Sequence, residues 1–161
     1  MNYKVLNSYH LKVIALVAMI IDHIGYVFFP EDLSYRIVGR IAFILYAFML
    51  VEGFTNTMNF RKYVSKVLIW SLASEVPFDL AMHNSLFYLK EQNIFFSLLV
   101  GLIGMYFLDK YKRSLILQVL ISVFILISAI LLRVNYSWYG VGIILLFYFL
   151  KERNILKLIA A

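Results

Sequence analysis

The stretch Asp22-His23-Ile24-Gly25 puts a carboxylate beside an imidazole inside a long apolar run, Leu11 to Phe29. An imidazole takes up and returns a proton near neutral pH, which suits proton removal from an attacking amine or hydroxyl. An unpaired Asp near the centre of a membrane helix costs roughly 2.5–3.5 kcal/mol, so partners are expected. The candidates are Arg36, Arg40, Glu75 and Asp79. Each of these pairs is spaced four residues apart and so shares one helix face. Asp22 and His23 point about 100° apart around a helix, which calls for a third group to orient the ring. The expectation is a protein-lined site in the outer half of a membrane bundle. In it Asp22 is neutralised by Arg36 or His23, and Arg40 pairs with Glu75 or Asp79. Arg36 also reads as a snorkelling interfacial residue. Glu52 stands apart, as a helix-end residue expected to pair with basic loop residues.

Composition supplies the elements that must position these groups. The chain has 161 residues, 63% hydrophobic and 15% charged, with mean hydropathy +0.86. A soluble domain of this length needs more polar surface, and here the apolar residues form long runs. The fold expected is all-α: a polytopic membrane bundle of about six transmembrane helices, with residues 1–161 as a single domain in the cell membrane and the lipid bilayer as partner. The formal charge of +6 fits basic cytoplasmic loops, and no basic groove or aromatic platform of a nucleic-acid binder is visible. No cysteine is present, which excludes thiolate chemistry and disulfides. The three histidines are scattered, His10 and His83 are read as loop residues, and no HExxH pattern occurs, so no metal site is expected. A nucleophile elbow and a Gly-rich phosphate loop are also missing.

In chain order, helix one is expected at about 11–29, ended by Pro30, and is read as a retained span with no cleavable leader. Helix two follows at about 36–54. Helix three, at about 61–80, should kink or end at Pro77. A polar connection from His83 to Gln92 leads to helix four, about 93–108, whose Gly101 and Gly104 suit close helix contact. Helix five, about 114–132, reads as packing or lipid-facing. Helix six, about 140–150, is short unless Ser137–Tyr139 and part of the tail join it. Tyr136, Trp138 and Tyr139 suit a membrane interface.

Six spans put both termini on one side. That side holds Lys4, Lys12, Arg61, Lys62, Lys66, Lys110, Lys112, Arg113, Lys151, Arg153 and Lys157; the other holds Arg36, Arg40, Lys90 and Arg133. The positive-inside rule therefore makes both termini cytoplasmic. Asp22, His23, Arg36, Arg40, Glu75 and Asp79 then fall in the outer leaflet.

The ordered set of short motifs resembles the TraX family of membrane proteins, named for pilin acetylation. The matching stretches begin with Leu11-Lys12-Val13-Ile14-Ala15, Asp22-His23-Ile24-Gly25, Gly39-Arg40-Ile41-Ala42-Phe43 and Ala47-Phe48. They continue with Val51-Glu52-Gly53-Phe54, Ser74-Glu75-Val76-Pro77-Phe78-Asp79-Leu80, Asn93-Ile94-Phe95-Phe96-Ser97 and Gly101-Leu102, and close with Tyr139-Gly140-Val141 and Leu145-Leu146-Phe147-Tyr148. The family is similar to a wider group of transmembrane acyltransferases. The resemblance implies acyl transfer from cytoplasmic acetyl-CoA, as co-substrate, to an acceptor across the membrane, with His23 catalytic and Asp22 its companion. Ile44 replaces a common Pro of the family, and Asn135 an Asp. Family members typically continue with further helices, so a fragment, an inactive relative and a homo-oligomer that completes the site are all open.

Two functions are thus expected. One is a membrane acetyl- or acyltransferase, with Arg40 steadying negative charge on the thioester oxygen and Arg61, Lys62 and Lys66 attracting CoA phosphates at the cytoplasmic mouth. Its acceptor is a peptide, a glycan or a lipid. The alternative is a non-enzymatic bundle: a small transporter, an immunity protein or a scaffold.

Overall fold

The structure, a computed structural model, describes residues 7–152. Among them the chain is all-α: seven helices, with one isolated bridge between Gln92 and Val134 and no strand. It divides into two compact units, Met1–Met49 and Leu50–Ala161. Lys4, Arg153 and Lys157 of the charge argument lie outside the described residues.

The first unit is a helical hairpin. α1 spans Ser8–Phe28 and α2 spans Leu33–Asn56, with the boundary between units falling inside α2. These two helices are long and apolar enough to cross a membrane. α1 starts where Asn7 accepts the backbone N–H groups of Tyr9 and His10, and the His10 ring accepts the Asn7 N–H in return. His10 is therefore a first-turn helical residue and not a loop residue. The helix stops before Pro30, with Phe29 N–H closing on Gly25 O. Asp32 accepts the Ser34 N–H at the head of α2, which begins about one turn earlier than the arginines suggest. Gly25 and Gly39 let the two arms approach. A Cβ on Gly25 would overlap the Tyr35 ring, and one on Gly39 would overlap the Asp22 carboxyl.

The second unit is built around α5, Ile94–Lys110. It is apolar on all sides, the pattern of a helix buried all round, and it packs against α3 (Phe60–Ala73), α6 (Leu115–Leu131) and α7 (Ser137–Glu152). Leu102, Met105 and Leu108 of α5 and Val141, Ile144 and Tyr148 of α7 are fully buried. The two α5 glycines serve different neighbours: Gly101 faces Ile144 of α7, and Gly104 faces Ile125 of α6. α6 buries only Ile125 and Ala129; Ile116, Leu120, Phe124 and Leu131 are exposed. α7 starts at Ser137, so the aromatic link does join the last helix.

The third expected span is two helices. α3 ends at Ala73, and α4, Glu75–His83, begins immediately after Ser74. Pro77 does not end a helix; it sits in the first turn of α4. A continuous helix would need a Pro77 N–H for the carbonyl of Ala73, and proline has none. In a first turn that N–H would be unpaired anyway. Ser74 completes the break by donating both its N–H and its hydroxyl to Trp70 O.

Candidate functional site

Two polar clusters hold the residues singled out above, one in each unit. In the first, Arg36 Nη1 donates to Asp22 Oδ1 at 3.1 Å, and the side chains are 42% and 14% exposed. The Arg36 guanidinium also lies 5.1 Å from the Tyr26 ring centroid, within cation–π range. Of the two partners expected for Asp22, the hydrogen bond goes to Arg36. The hairpin makes this geometry: Asp22 and Arg36 lie on opposing arms, and Gly39 leaves room for the carboxyl group. His23 is exposed, and no hydrogen bond reaches its ring among the described residues; Arg40 is exposed as well.

In the second unit the polar groups gather around α4. Glu75 Oε2 accepts the Asn93 backbone N–H at 3.2 Å and, more closely, the Asn93 side-chain amide. That amide also donates to Ser71 O at 2.8 Å, while Asn93 Oδ1 caps α5 by accepting the Phe95 N–H. Asp79 is 1% exposed, and its Oδ2 accepts the Tyr88 N–H at 2.6 Å. This bond ties the connection after α4 back onto the helix. His83, read from sequence as a loop residue, is the last residue of α4. Its ring stacks on Tyr88 at 3.8 Å, and its Nε2 lies 3.6 Å from Glu91 Oε2. Asn135 Nδ2 donates to Glu91 Oε1 at 3.0 Å, and the Asn135 carbonyl accepts the Ser97 hydroxyl. Glu75, Asp79 and His83 follow one another at intervals of four residues along α4 and share its face. Glu75 Oε1, Asp79 Oδ1 and His83 Nε2 are buried and have no hydrogen-bond partner among the described residues.

Glu75 and Asp79 belong to the second unit, and within it both are met by neutral donors. Arg40 belongs to the first. Glu52, expected to pair with basic loop residues, pairs instead with Lys151 in the last turn of α7, which also reaches Thr55 Oγ1. Sequence reasoning missed Glu91, which carries no local signal, and misplaced His83. Asn93 had a usable signal, since an Asn directly before an apolar run is a common N-cap. Among the described residues no group of three His, Asp or Glu side chains is arranged to hold a metal ion.

The class so defined is a protein all-helical over its described residues, with two membrane-capable helices and the buried carboxylate of Asp79 in its helical core. The family model described as TraX protein matches residues 8–161, and the chain belongs to the TraX family. It is also similar to "Probable fimbrial assembly protein FimC, serogroup H1" of Dichelobacter nodosus. The two are 31% identical over 110 residues, which is 62% of this chain and 45% of that protein. The match thus spans under half the length of that relative. No solved structure matches the chain.

Proposed function

We propose that this TraX-family chain is a multi-pass membrane protein that transfers an acyl group from acyl-CoA to an amine or hydroxyl at the outer face, in the service of fimbrial assembly. The observation that carries the reading is the α4 face, where Glu75 and Asp79 each keep a buried carboxylate oxygen with no hydrogen-bond partner among the described residues, beside a His83 Nε2 that only Glu91 approaches, at 3.6 Å. Buried polar groups are otherwise almost always paired, and the exceptions concentrate where a ligand or chemistry completes them. Membrane insertion is supported by α1 and α2 and by the exposed apolar surface of α6, which water would disfavour. α3 and α4 together make one crossing, giving six crossings and cytoplasmic termini under the positive-inside rule.

The chemistry is an attack by the acceptor nitrogen or oxygen on the thioester carbonyl. The C–S bond breaks, and the acceptor's proton leaves with CoA as the thiol. His23, exposed beside Asp22, is the base suggested by family resemblance, and Arg40 steadies the oxyanion. Within the second unit by itself, Glu75 Oε1 and Asp79 Oδ1 are acceptor atoms that a bound N–H or O–H group would fill. The fimbrial context comes from the name of the relative.

The test is acetyl transfer from labelled acetyl-CoA in proteoliposomes. Replacing His23 with Gln should lower the rate at least about a hundredfold, the usual scale for a general base. Full activity in a folded His23→Gln protein removes His23 from the reaction. Absence of acetyl-CoA binding by the purified protein would instead favour a non-enzymatic bundle, a reading supported by the closed Asp22–Arg36 and Glu52–Lys151 pairs.

A further inference from the structure

One end of the second unit carries a feature that acyl transfer leaves unused. There the end of α6 and the start of α7 meet the connection before α5, joined by backbone bonds from Gln92 N to Arg133 O and from Asn135 N to Gln92 O, each 3.0 Å. Between them lies an open hollow of about 380 Å³, lined by Lys90, Glu91, Arg133, Asn135, Tyr136 and Ser137 among others.

Lys90 and Arg133 are exposed, and neither cationic group has an ion-pair or hydrogen-bond partner among the described residues. Glu91 is 45% exposed and is fixed in place by the amide of Asn135. A carboxylate oxygen accepts more than one hydrogen bond, so Glu91 keeps capacity for a ligand. The turn that shapes the hollow is held in left-handed backbone at Arg133, Tyr136 and Ser137, with φ of 52°, 61° and 46°. None of the three is glycine, and strained backbone of this kind concentrates at ligand sites. Ile130 and Tyr139 also line the hollow, and Leu89, Leu132 and Trp138, each next in sequence to a lining residue, are exposed.

We infer that this hollow binds the headgroup of a phospholipid that carries both a phosphate and a primary ammonium, phosphatidylethanolamine being the simplest. Lys90 and Arg133 take the phosphate, and Glu91 takes the ammonium. A bare anion fits less well, because Glu91 repels it; a choline headgroup fits less well, because it has no N–H to donate. The apolar rim meets the acyl chains, and the tryptophan sits at headgroup level. The inference rests on the membrane reading above, but not on the acyl transfer.

The test is native mass spectrometry of the detergent-solubilised protein titrated with dioleoyl phosphatidylethanolamine, phosphatidylcholine or phosphatidylglycerol. Soluble phosphoethanolamine is added in a further arm. The ethanolamine lipid should bind most tightly. The Lys90→Ala/Arg133→Ala double variant should bind it at least about tenfold more weakly, the scale expected for losing charge-assisted hydrogen bonds. Glu91→Gln keeps an acceptor for Asn135 and should erase the preference over phosphatidylglycerol. Equal binding of the three lipids, or unchanged binding by the double variant, overturns the inference. Displacement of the lipid by equimolar phosphoethanolamine also overturns it, since a free headgroup would then be the ligand. Alkaline extraction of membranes reads insertion separately, so a protein that fails to insert is distinguished from one that inserts and shows no lipid preference.

Discussion

Arg36 on α2 donates to Asp22 on α1 across 3.1 Å, and Gly39, one turn after Arg36, provides the space that the Asp22 carboxyl fills. An apolar hairpin thereby tolerates a carboxylate in its longest hydrophobic run. The guanidinium is 42% exposed, which weakens the pair, while Asp22 is mostly covered. Arg36→Gln should destabilise the protein by about 1–2 kcal/mol, mostly from leaving Asp22 short of its partner. Asp22→Asn in that background should recover part of the loss. Thermal unfolding in detergent of the two single variants and the double variant gives the coupling; strict additivity would show that the pair contributes nothing.

Gly39 tests the same relationship from the other side. A Cβ there overlaps the Asp22 carboxyl carbon and Oδ1, and these atoms sit close to the backbone on a short side chain. Gly39→Ala should cost about 1–3 kcal/mol, as overpacking does. Combining it with Asp22→Ala should relieve part of that cost, because Cγ and Oδ1 are then gone while the position-22 Cβ, 2.6 Å from the added Cβ, remains. A lowered midpoint for Gly39→Ala that Asp22→Ala does not raise at all would place the clash elsewhere.

Asn93 joins three elements through four hydrogen bonds: to Ser71 O at the end of α3, twice to Glu75 of α4, and to the Phe95 N–H of α5. It is 2% exposed, so water does not replace what is lost. Asn93→Ala should destabilise by about 2–4 kcal/mol, combining a lost cap with a buried acceptor left unpaired. Asn93→Asp should be no better than Asn93→Ala, since it sets a second carboxylate against Glu75. Stability near wild type for Asn93→Asp would mean that Glu75 is already protonated.

Glu52 and Lys151 are 99 residues apart in sequence and pair at the end of α7. Glu52 is 42% exposed, and a partly solvated pair of this kind is worth about 0.5–1 kcal/mol and is screened by salt. Glu52→Lys should lower the unfolding midpoint modestly, and adding Lys151→Glu should restore it. The effect should shrink in high salt. A charge-reversed pair no better than its worse single variant would show that the two groups do not interact.

Asp32 offers a pH readout outside the membrane-spanning segments. The Ser34 backbone N–H, and then its hydroxyl, hold the Asp32 carboxyl below the ordinary carboxylate value. A carboxyl depressed in the folded state contributes stability above its unfolded value near 4, and the contribution is lost as pH falls through the folded value. NMR titration should find Asp32 below that range. Ser34→Ala should move it up only in part, because the backbone N–H remains.

The sequence by itself determined that the protein is helical, roughly where its helices lie, and that Asp22 needs a partner from nearby residues. Apolar runs with polar punctuation at Asn7, Pro30, Asn93 and Ser114 encode these features locally. It also carried enough ordered motif to suggest the family. Only tertiary structure decided the break at Ser74, because a proline reads equally well as the end of one helix or the first turn of the next. It likewise chose Arg36 for Asp22, Lys151 for Glu52 and Asn93 for Glu75. Each choice depends on which helix faces lie opposite one another, and helical periodicity fixes only the spacing along a single helix. The meeting of Glu91 with His83 and Asn135 was the least legible, because it is made by connections whose paths are set by the helices they join.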